Sequence, residues 1–313
     1  MRELHIKSLL PVRLDRYLSE QFPALGIGRL NKALRENKIK LNGKKQPLST
    51  RVQNGDVVRL YLTDEQLGVA PQTGPAFLSL RPAELIYENE DLIVANKPAG
   101  IPVEGPNPDT LLNRVCKVLY NSGHWQAGRP PRLCHRLDTG TSGLVLLAKT
   151  PAAEAFLTDS IRQRTIRKRY LCVTFGRPHL PAATLHDYLL KDAEAGIVRV
   201  VNKPCPGARE IITAYETLAV SGRLALLRVE LVTGRTHQIR AHLASIGCPI
   251  LGDSKYGNHA ANRELRLKYQ ALCAWELAFP AHIQDLAFGY LAGKTFHAPK
   301  PWYYQQVLDG ILK

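Results

Sequence analysis

Hydrophobic spacing divides the chain into a short N-terminal segment and a longer, mixed segment. Near the start, Leu14 with Leu18 and Leu30 with Leu34 recur at helical spacing. Short strand-like runs follow at 39–41 and 57–62, the first leading directly into the hairpin dipeptide Asn42-Gly43. The pattern predicts two helices followed by short strands within residues 1–63.

The spacing of apolar residues is different in the rest of the chain. Residues 64–83 contain several Gly and Pro and no clear period, which is typical of a linker. Apolar runs then predict strands at 92–95, 144–148, 170–175 and 225–231, and helices over 151–168 and from about Thr236 to Gly247. These elements do not alternate as regular βαβ units, so residues 84–313 are predicted to form an α+β domain.

Charge narrows the choice of partner. The 313 residues have a formal net charge of +15, and residues 1–63 alone hold thirteen Lys or Arg against five Asp or Glu. Such an excess favours a polyanion, nucleic acid first, although a globular protein that is merely basic would have the same composition. The six cysteines are scattered, and neither a signal-peptide core nor a bilayer-spanning apolar run is present. We therefore expect a cytoplasmic protein without a membrane partner.

One loop offers a carboxylate suited to catalysis. Asp138 lies in the segment 134–143, among two glycines and three hydroxyl residues, just before a strand that reads as buried. Such a turn can hold a carboxylate rigidly at the edge of a sheet, but a structural Asx-turn fits the same residues.

Two further segments carry cations or an aromatic ring. If a helix begins near Thr236, then Thr236 and Arg240 share a face, from which Arg240 could ion-pair with a partly buried Asp; a solvated face is the alternative. Tyr170 ends a basic run made of Arg162, Arg164, Arg167, Lys168 and Arg169. This arrangement suits phosphate contact and base stacking, although a core tyrosine beside a solvated helix face is the commoner case for a single Tyr.

Several kinds of site have no support in the sequence. No H-E-x-x-H, no paired His and Cys spacing, no P-loop and no G-x-S-x-G motif occurs. We therefore expect neither a metal nor a cofactor.

In their order and spacing, the motifs resemble those of the RluA-type pseudouridine synthases. His135-Arg136-Leu137-Asp138 is similar to the catalytic motif of that family, and 234–240 followed by Gly252-Asp253 and Tyr256-Gly257 is similar to its second long signature. Asn96-Lys97-Pro98-Ala99-Gly100 and Lys168-x-Tyr170 resemble two shorter ones. The N-terminal segment resembles, more loosely, the S-four-type RNA-binding domain.

The resemblance implies a fold and an activity. It implies a mixed, largely antiparallel sheet flanked by helices in residues 84–313, behind a small α/β RNA-binding domain at 1–63. It also implies isomerisation of uridine to pseudouridine in structured RNA, with large-subunit ribosomal RNA favoured and transfer RNA left open. We expect the protein to act as a monomer.

The resemblance also assigns residues. Asp138 would be the nucleophile, Tyr170 would stack on the target uracil, and Arg240 would pair with Asp138. Arg136 would fill the gap left by a flipped nucleotide. The other candidates for substrate contact are His135, Arg235, Thr236, His237 and Gln238. Candidates for RNA contact are Arg29, Lys32, Arg35, Lys38, Lys40, Lys44, Lys45, Arg167 and Lys168.

Two other functions stay open on the residues alone. A non-catalytic RNA-binding or ribosome-assembly protein would share the charge but would not need Asp138 with Arg240. An RNA hydrolase would call for a metal cluster or a His pair, neither of which the sequence offers.

Overall fold

The computed structural model divides the chain into two compact units, Met1–Pro75 and Ala76–Lys313. The residues it describes are 2–6, 11–22, 25–62, 66, 76–126, 128–192 and 196–313. The boundary between the units falls within the segment 64–83 predicted as a linker. Of that segment, residues 64, 65 and 67–75 lie outside the described residues.

The first unit packs two short helices against small antiparallel sheets. Its elements are β1 (Arg2–His5), β2 (Val12–Arg13), α1 (Leu14–Gln21), α2 (Ile27–Arg35), β3 (Ile39–Leu41), β4 (Arg51–Val52) and β5 (Val57–Leu60). Leu14, Leu18 and Leu30, which gave the helical spacing, are fully buried in its core. The two predicted helices are thus confirmed. Strands β1, β2 and β4 were not predicted, because each is short and none contains an apolar run.

The second unit contains the remaining strands and helices. Its strands are β6 (Glu84–Glu88), β7 (Leu92–Lys97), β8 (Arg132–Leu133), β9 (Ser142–Ala148), β10 (Arg167–Phe175), β11 (Ala182–Asp192), β12 (Ile197–Val201), β13 (Arg209–Ser221), β14 (Leu224–Leu231), β15 (Leu272–Ala278) and β16 (Thr295–His297). Its helices are α3 (Leu111–Asn121), α4 (Pro151–Arg162), α5 (Gln238–Ser245), α6 (His259–Glu264) and α7 (Trp302–Leu308), with 3₁₀ turns at Ala76–Ser79 and Leu286–Leu291. The predicted α+β class is confirmed.

One mixed sheet of eleven strands organises this unit. The strand order is β12-β11-β13-β14-β10-β15-β9-β7-β6, with β16 beside β15 and β8 beside β9. The pairs are antiparallel except for β9 with β15, where Ser142 lies opposite Cys273 and Gly143 opposite Ala274. A Cβ added to Gly143 would lie 2.2 Å from the carbonyl oxygen of Ala274, so glycine is required at this close approach. The parallel junction thereby fixes the loop that precedes β9.

Both faces of the sheet are covered, which explains its uninterrupted apolar runs. Along β9, Leu144 and Leu146 enter a core shared with α4 and α7. Val145 and Leu147 point the other way, into a core shared with α3 and α5. The candidate site lies on this second side. Within the described residues, no helix is both long and apolar enough to cross a bilayer.

The helix predicted over 151–168 is shorter in the structure. It ends at Arg162, and β10 already begins at Arg167. Arg164 between them has a φ of 64°, a left-handed conformation that a right-handed helix cannot continue through.

Candidate active site

Asp138 lies in the loop between β8 and β9, where backbone and side-chain contacts hold it. The backbone N–H of Thr141 donates to the carbonyl oxygen of Asp138 at 3.0 Å, which closes a turn directly after the carboxylate. The Thr141 hydroxyl accepts from Nε2 of Gln270 at 3.0 Å, tying that turn to the segment before β15. The Asp138 side chain stays 27% exposed. A carboxylate in a rigid turn is thus presented to the cavity described below.

Arg240 on α5 joins two carboxylates. Its Nη1 lies 2.8 Å from Oδ2 of Asp138, while its Nε and Nη2 form a two-point pair with Asp253 at 2.7 and 2.9 Å. The Arg240 side chain is 5% exposed and that of Asp253 is fully buried. Burial opposes the charge on Arg240, but the carboxylates of Asp253 and Asp138 outweigh it and raise the pKa of the guanidinium. The arginine is therefore a permanent, fixed cation behind Asp138.

The start of α5 differs from the prediction. The helix begins at Gln238 rather than Thr236, because His237 adopts a left-handed conformation with φ 56° and ψ 15°. Thr236 therefore precedes the helix, and its expected common helical face with Arg240 does not exist. Arg240 lies on the buried side of α5, so the alternative of a solvated face is wrong for this residue.

Tyr170 on β10 faces the same cavity. The pairing of β10 with β15 shifts register between Arg169 and Tyr170, and the Tyr170 ring is buried, with 6% of the residue exposed. Burial, reinforced by the negative charge of Asp138, raises the pKa of its phenol, so the ring carries no charge. An uncharged aromatic ring beside a carboxylate is suited to stacking on a base.

Lys97 supports the loop that carries Asp138. Its fully buried ammonium donates to the carbonyl oxygens of Pro98, Ile101 and Thr139 at 3.0, 2.8 and 3.1 Å. Burial lowers the pKa of Lys97 to about 7, and the charge of Asp138 opposes that shift. The 96–100 motif is thus a turn whose lysine anchors the residue that follows Asp138.

Of the other predicted substrate contacts, two are used inside the protein. Nε2 of His135 accepts from the backbone N–H of Leu146 at 3.1 Å, and burial lowers the pKa of the ring to about 3. His135 therefore braces the loop as a neutral acceptor while it also lines the cavity described below, and its predicted substrate contact stays a prediction.

Gln238 is the second of these residues. Its Oε1 accepts from the Thr233 hydroxyl and the Arg235 backbone N–H at 2.9 and 3.1 Å. Its Nε2 donates to the Ile212 carbonyl and the Thr213 hydroxyl at 3.1 and 3.0 Å. All four hydrogen-bonding positions of this buried amide are occupied, so Gln238 shapes the turn at the wall of the cavity, and its predicted substrate contact stays a prediction.

A cavity of about 920 Å³ gathers all the predicted substrate contacts. The lining includes Asp138, Tyr170 and Arg240 together with His135, Arg136, Arg235, Thr236, His237 and Gln238. Arg136 is strongly exposed, with Nη1 3.6 Å from Glu104. Within the described residues, Asp138 is the one carboxylate of the lining, against the cations Arg136, Lys168, Arg235, Arg240, Lys255 and Lys268. The cavity therefore offers a positive surface around a single acid.

The basic run before Tyr170 is only partly available. Lys168 lines the cavity, and burial lowers its pKa. Arg169 is held by Glu230 at 2.9 Å and Glu276 at 3.0 Å, and Arg162 pairs with Asp159. Arg167 is exposed but does not contribute to the cavity lining.

In the first unit, the predicted RNA-contacting residues lie on the surface. Arg29, Lys32 and Arg35 are exposed on α2, as are Lys44 and Lys45 beyond β3. Two others already have protein contacts, since Nζ of Lys38 lies 2.7 Å from Glu36 and that of Lys40 lies 5.5 Å from the centre of the Tyr61 ring.

Sequence reasoning missed three residues that shape the site: Lys97, Asp253 and Tyr256. Each lies in a segment that looks like an ordinary turn. The signal that could have found Asp253 is its position in the Gly252-Asp253-x-x-Tyr256-Gly257 motif shortly after Arg240. A buried arginine whose one partner is partly exposed needs a second carboxylate, because a buried charge is costly unless it is fully paired.

Comparisons with known proteins agree with this geometry. A family model described as RNA pseudouridylate synthase matches residues 91–245, a range that contains Asp138, Tyr170 and Arg240. A Rickettsia bellii protein named ribosomal large subunit pseudouridine synthase C is 32% identical over 269 residues, covering 81% of this chain and 85% of the relative. Its namesake from Rickettsia prowazekii is 34% identical over 258 residues, covering 80% and 83%. Among solved structures, human RNA pseudouridylate synthase domain containing 4 has a TM-score of 0.59 at 25% identity, over 73% of this chain and 92% of that one.

Proposed function

The chain belongs to the RluA-type family of RNA pseudouridine synthases, and we propose that it isomerises specific uridines of large-subunit ribosomal RNA, with Asp138 as nucleophile. The observation that carries the proposal is the Asp138 carboxylate, held by Arg240 at 2.8 Å within a cavity whose other charged lining residues are cations. The choice of RNA rests on the two Rickettsia relatives, whose names specify the large ribosomal subunit. That substrate would place the enzyme in the cytoplasm.

The reaction suits a firmly oriented carboxylate. Isomerisation breaks the bond between the ribose and a ring nitrogen and joins the sugar to carbon 5 of the same uracil. A carboxylate can assist by attacking covalently or by stabilising and deprotonating the sugar during cleavage. The buried Arg240–Asp253 pair keeps Arg240 in place, so Arg240 fixes the direction of the Asp138 carboxylate. The rearrangement neither oxidises nor transfers a group, so no cofactor is needed.

The detached uracil has to turn without leaving the site. Tyr170 supplies a buried, uncharged ring beside Asp138 on which the base can stack. A nucleotide enters such a cavity only after leaving its stack in the RNA, which costs a few kcal/mol. The cations Arg136, Lys168, Arg235, Lys255 and Lys268 at the cavity would offset that cost through contacts to the phosphates.

For the first unit we propose an S-four-type RNA-binding domain spanning residues 1–63, joined through 64–83 to the catalytic domain at 84–313. Its support is the excess of eight positive charges over residues 1–63 and the exposed row Arg29, Lys32 and Arg35 on α2. These side chains can reach phosphates but carry no base-reading arrangement of their own. The unit would deliver a large folded RNA to the catalytic domain.

The decisive experiment is the substitution Asp138→Asn. The amide keeps the size of the carboxylate but is a poor nucleophile and base, so we expect pseudouridine formation to fall by more than ~10³-fold. RNA affinity should stay within about twofold of the wild type. Pseudouridine is measured by reverse-transcription stops after carbodiimide treatment of ribosomal RNA.

A matched control is Asp309→Asn, which changes an exposed aspartate at the end of α7. It should leave the activity unchanged. Activity of the Asp138 variant within about tenfold of wild type would contradict the assignment and favour an RNA-binding protein, which should be indifferent to this change.

A further inference from the structure

His237 enters the cavity from an unusual backbone conformation. Its φ of 56° is left-handed, and it is not a glycine. This conformation costs an ordinary side chain about 1 kcal/mol or more and persists only where the surroundings impose it, commonly at functional sites. It turns the imidazole towards Asp138, with Nε2 3.9 Å from Oδ2 of that carboxylate.

Hydrogen bonds fix which nitrogen of His237 carries the hydrogen. The backbone N–H of Val198 donates to the hydroxyl oxygen of Tyr256 at 2.8 Å, and the same hydroxyl lies 3.0 Å from Nδ1 of His237. Burial raises the pKa of the Tyr256 phenol, so it keeps its hydrogen. Within the described residues, Nδ1 of His237 is the acceptor that this hydrogen can reach. Nδ1 therefore accepts, and the hydrogen of the neutral imidazole lies on Nε2.

The ring is held neutral. Burial lowers the pKa of His237, and the positive charges of Arg240 and Lys255 lower it further, against the opposing charges of Asp138 and Asp253. The separation of 3.9 Å from Asp138 is too long for a hydrogen bond. A neutral N–H donor thus points into the cavity beside the carboxylate, with its hydrogen available to a third group.

We propose that His237 is a further catalytic residue, whose Nε2–H donates a hydrogen bond to a carbonyl oxygen of the target uracil. The inference rests on the proposed function. When the bond between the ribose and the ring nitrogen breaks, the electron pair stays on the uracil and spreads to its carbonyl oxygens. A fixed donor stabilises that charge and holds the ring while carbon 5 turns towards the sugar. His237 transfers no proton and keeps its Nε2 hydrogen throughout. The rearrangement balances because carbon 5 loses its proton to a base, for which the Asp138 carboxylate is placed, and the freed ring nitrogen gains one from water.

The test uses His237→Gly and His237→Asn, since glycine and asparagine tolerate the left-handed conformation and should leave the start of α5 intact. Loss of one such donor should lower kcat by about 10²–10³-fold, with the Kd for RNA within about twofold of wild type. Tyr256→Phe keeps the histidine but removes the hydroxyl that donates to Nδ1, so the neutral ring can carry its hydrogen on either nitrogen. It should lower kcat by only about tenfold.

Added heterocycles identify the chemical role. Imidazole, which has an N–H, should restore part of the kcat of His237→Gly, whereas 1-methylimidazole, whose uncharged form can only accept, should not. Equal rescue by both compounds would overturn the donor role, and rescue by neither would show that His237 acts through structure alone. A His237→Gly enzyme as active as wild type, beside an inactive Asp138→Asn, would remove only this inference. A wild-type protein that forms no pseudouridine in ribosomal RNA would instead refute the proposed function.

Discussion

Cations in the two units of this protein lie in opposite environments. On α2 of the first unit, Arg29, Lys32 and Arg35 are exposed to solvent along one helix. In the second unit, Arg240 is 5% exposed and is held between two carboxylates from different parts of the chain. Exposed charges interact weakly and are screened by salt, whereas a buried charge is costly to leave unpaired. The same type of side chain thus supplies attraction for a polyanion in one unit and fixes the geometry of a single carboxylate in the other.

The largest expected effect is that of Arg240→Leu. It leaves Asp253 buried without its cation, so the free energy of unfolding of the second unit should fall by about 3–5 kcal/mol, and activity should be lost. All three tryptophans, Trp125, Trp275 and Trp302, lie in that unit, so denaturant unfolding followed by tryptophan fluorescence measures it directly.

Arg228→Leu is the matched control. Arg228 pairs with Glu216 on the surface, where the two side chains are 40% and 50% exposed, so its loss should cost only about 0–1 kcal/mol. If the two variants were destabilised equally, burial would not be what distinguishes Arg240 from the surface arginines.

A smaller effect is expected from the partly buried His135. Its pKa in the folded protein is about 3, below its ordinary 6.5, so on acidification the unfolded chain takes up a proton that the folded protein does not. Stability is therefore lost as the pH falls from 6.5 towards 3, by up to ~1.4 kcal/mol per pH unit.

Urea unfolding at two pH values tests this sign. His135→Gln cannot titrate but keeps an oxygen that can accept from Leu146, so its stability should fall less than that of the wild type between pH ~6.5 and ~4.5. His179→Gln, at an exposed position, should follow the wild type. A His135→Gln curve parallel to the wild type would show that the ring gains its proton as readily in the folded protein as in the unfolded one.

Sequence patterns predicted the elements better than the contacts between them. The strand at 225–231 and the helices of the first unit follow from local spacing, because periodicity reports which face of an element is buried. Gln238 is an example of a residue whose contacts the local sequence pattern does not predict. Its motif marks it as functional, yet the Ile212 and Thr213 groups that occupy its amide lie 26 and 25 residues away in the chain. Asp253 likewise looks like a turn residue until α5 brings Arg240 against it. Local residue spacing predicts neither contact, because each joins segments that are distant in the sequence.

The smallest effect concerns the exposed cations of the first unit. Lys32→Gln, Arg35→Gln and Lys44→Gln together should leave kcat unchanged and weaken RNA binding at moderate salt. If each side chain contacts a phosphate, the slope of log affinity against log salt should decrease in magnitude by ~0.7–0.9 per residue. The control variant, Arg13→Gln with Arg16→Gln and Arg59→Gln, removes the same charge from the same unit. Those arginines already pair with Asp15, Glu20 and Glu3 at 2.7, 3.2 and 2.9 Å, so the slope should change little. Equal slopes for the two triple variants would mean that net charge alone attracts the RNA. The exposed cations of the first unit would then not form a phosphate-binding surface, and only the role of Arg240 in fixing Asp138 would remain.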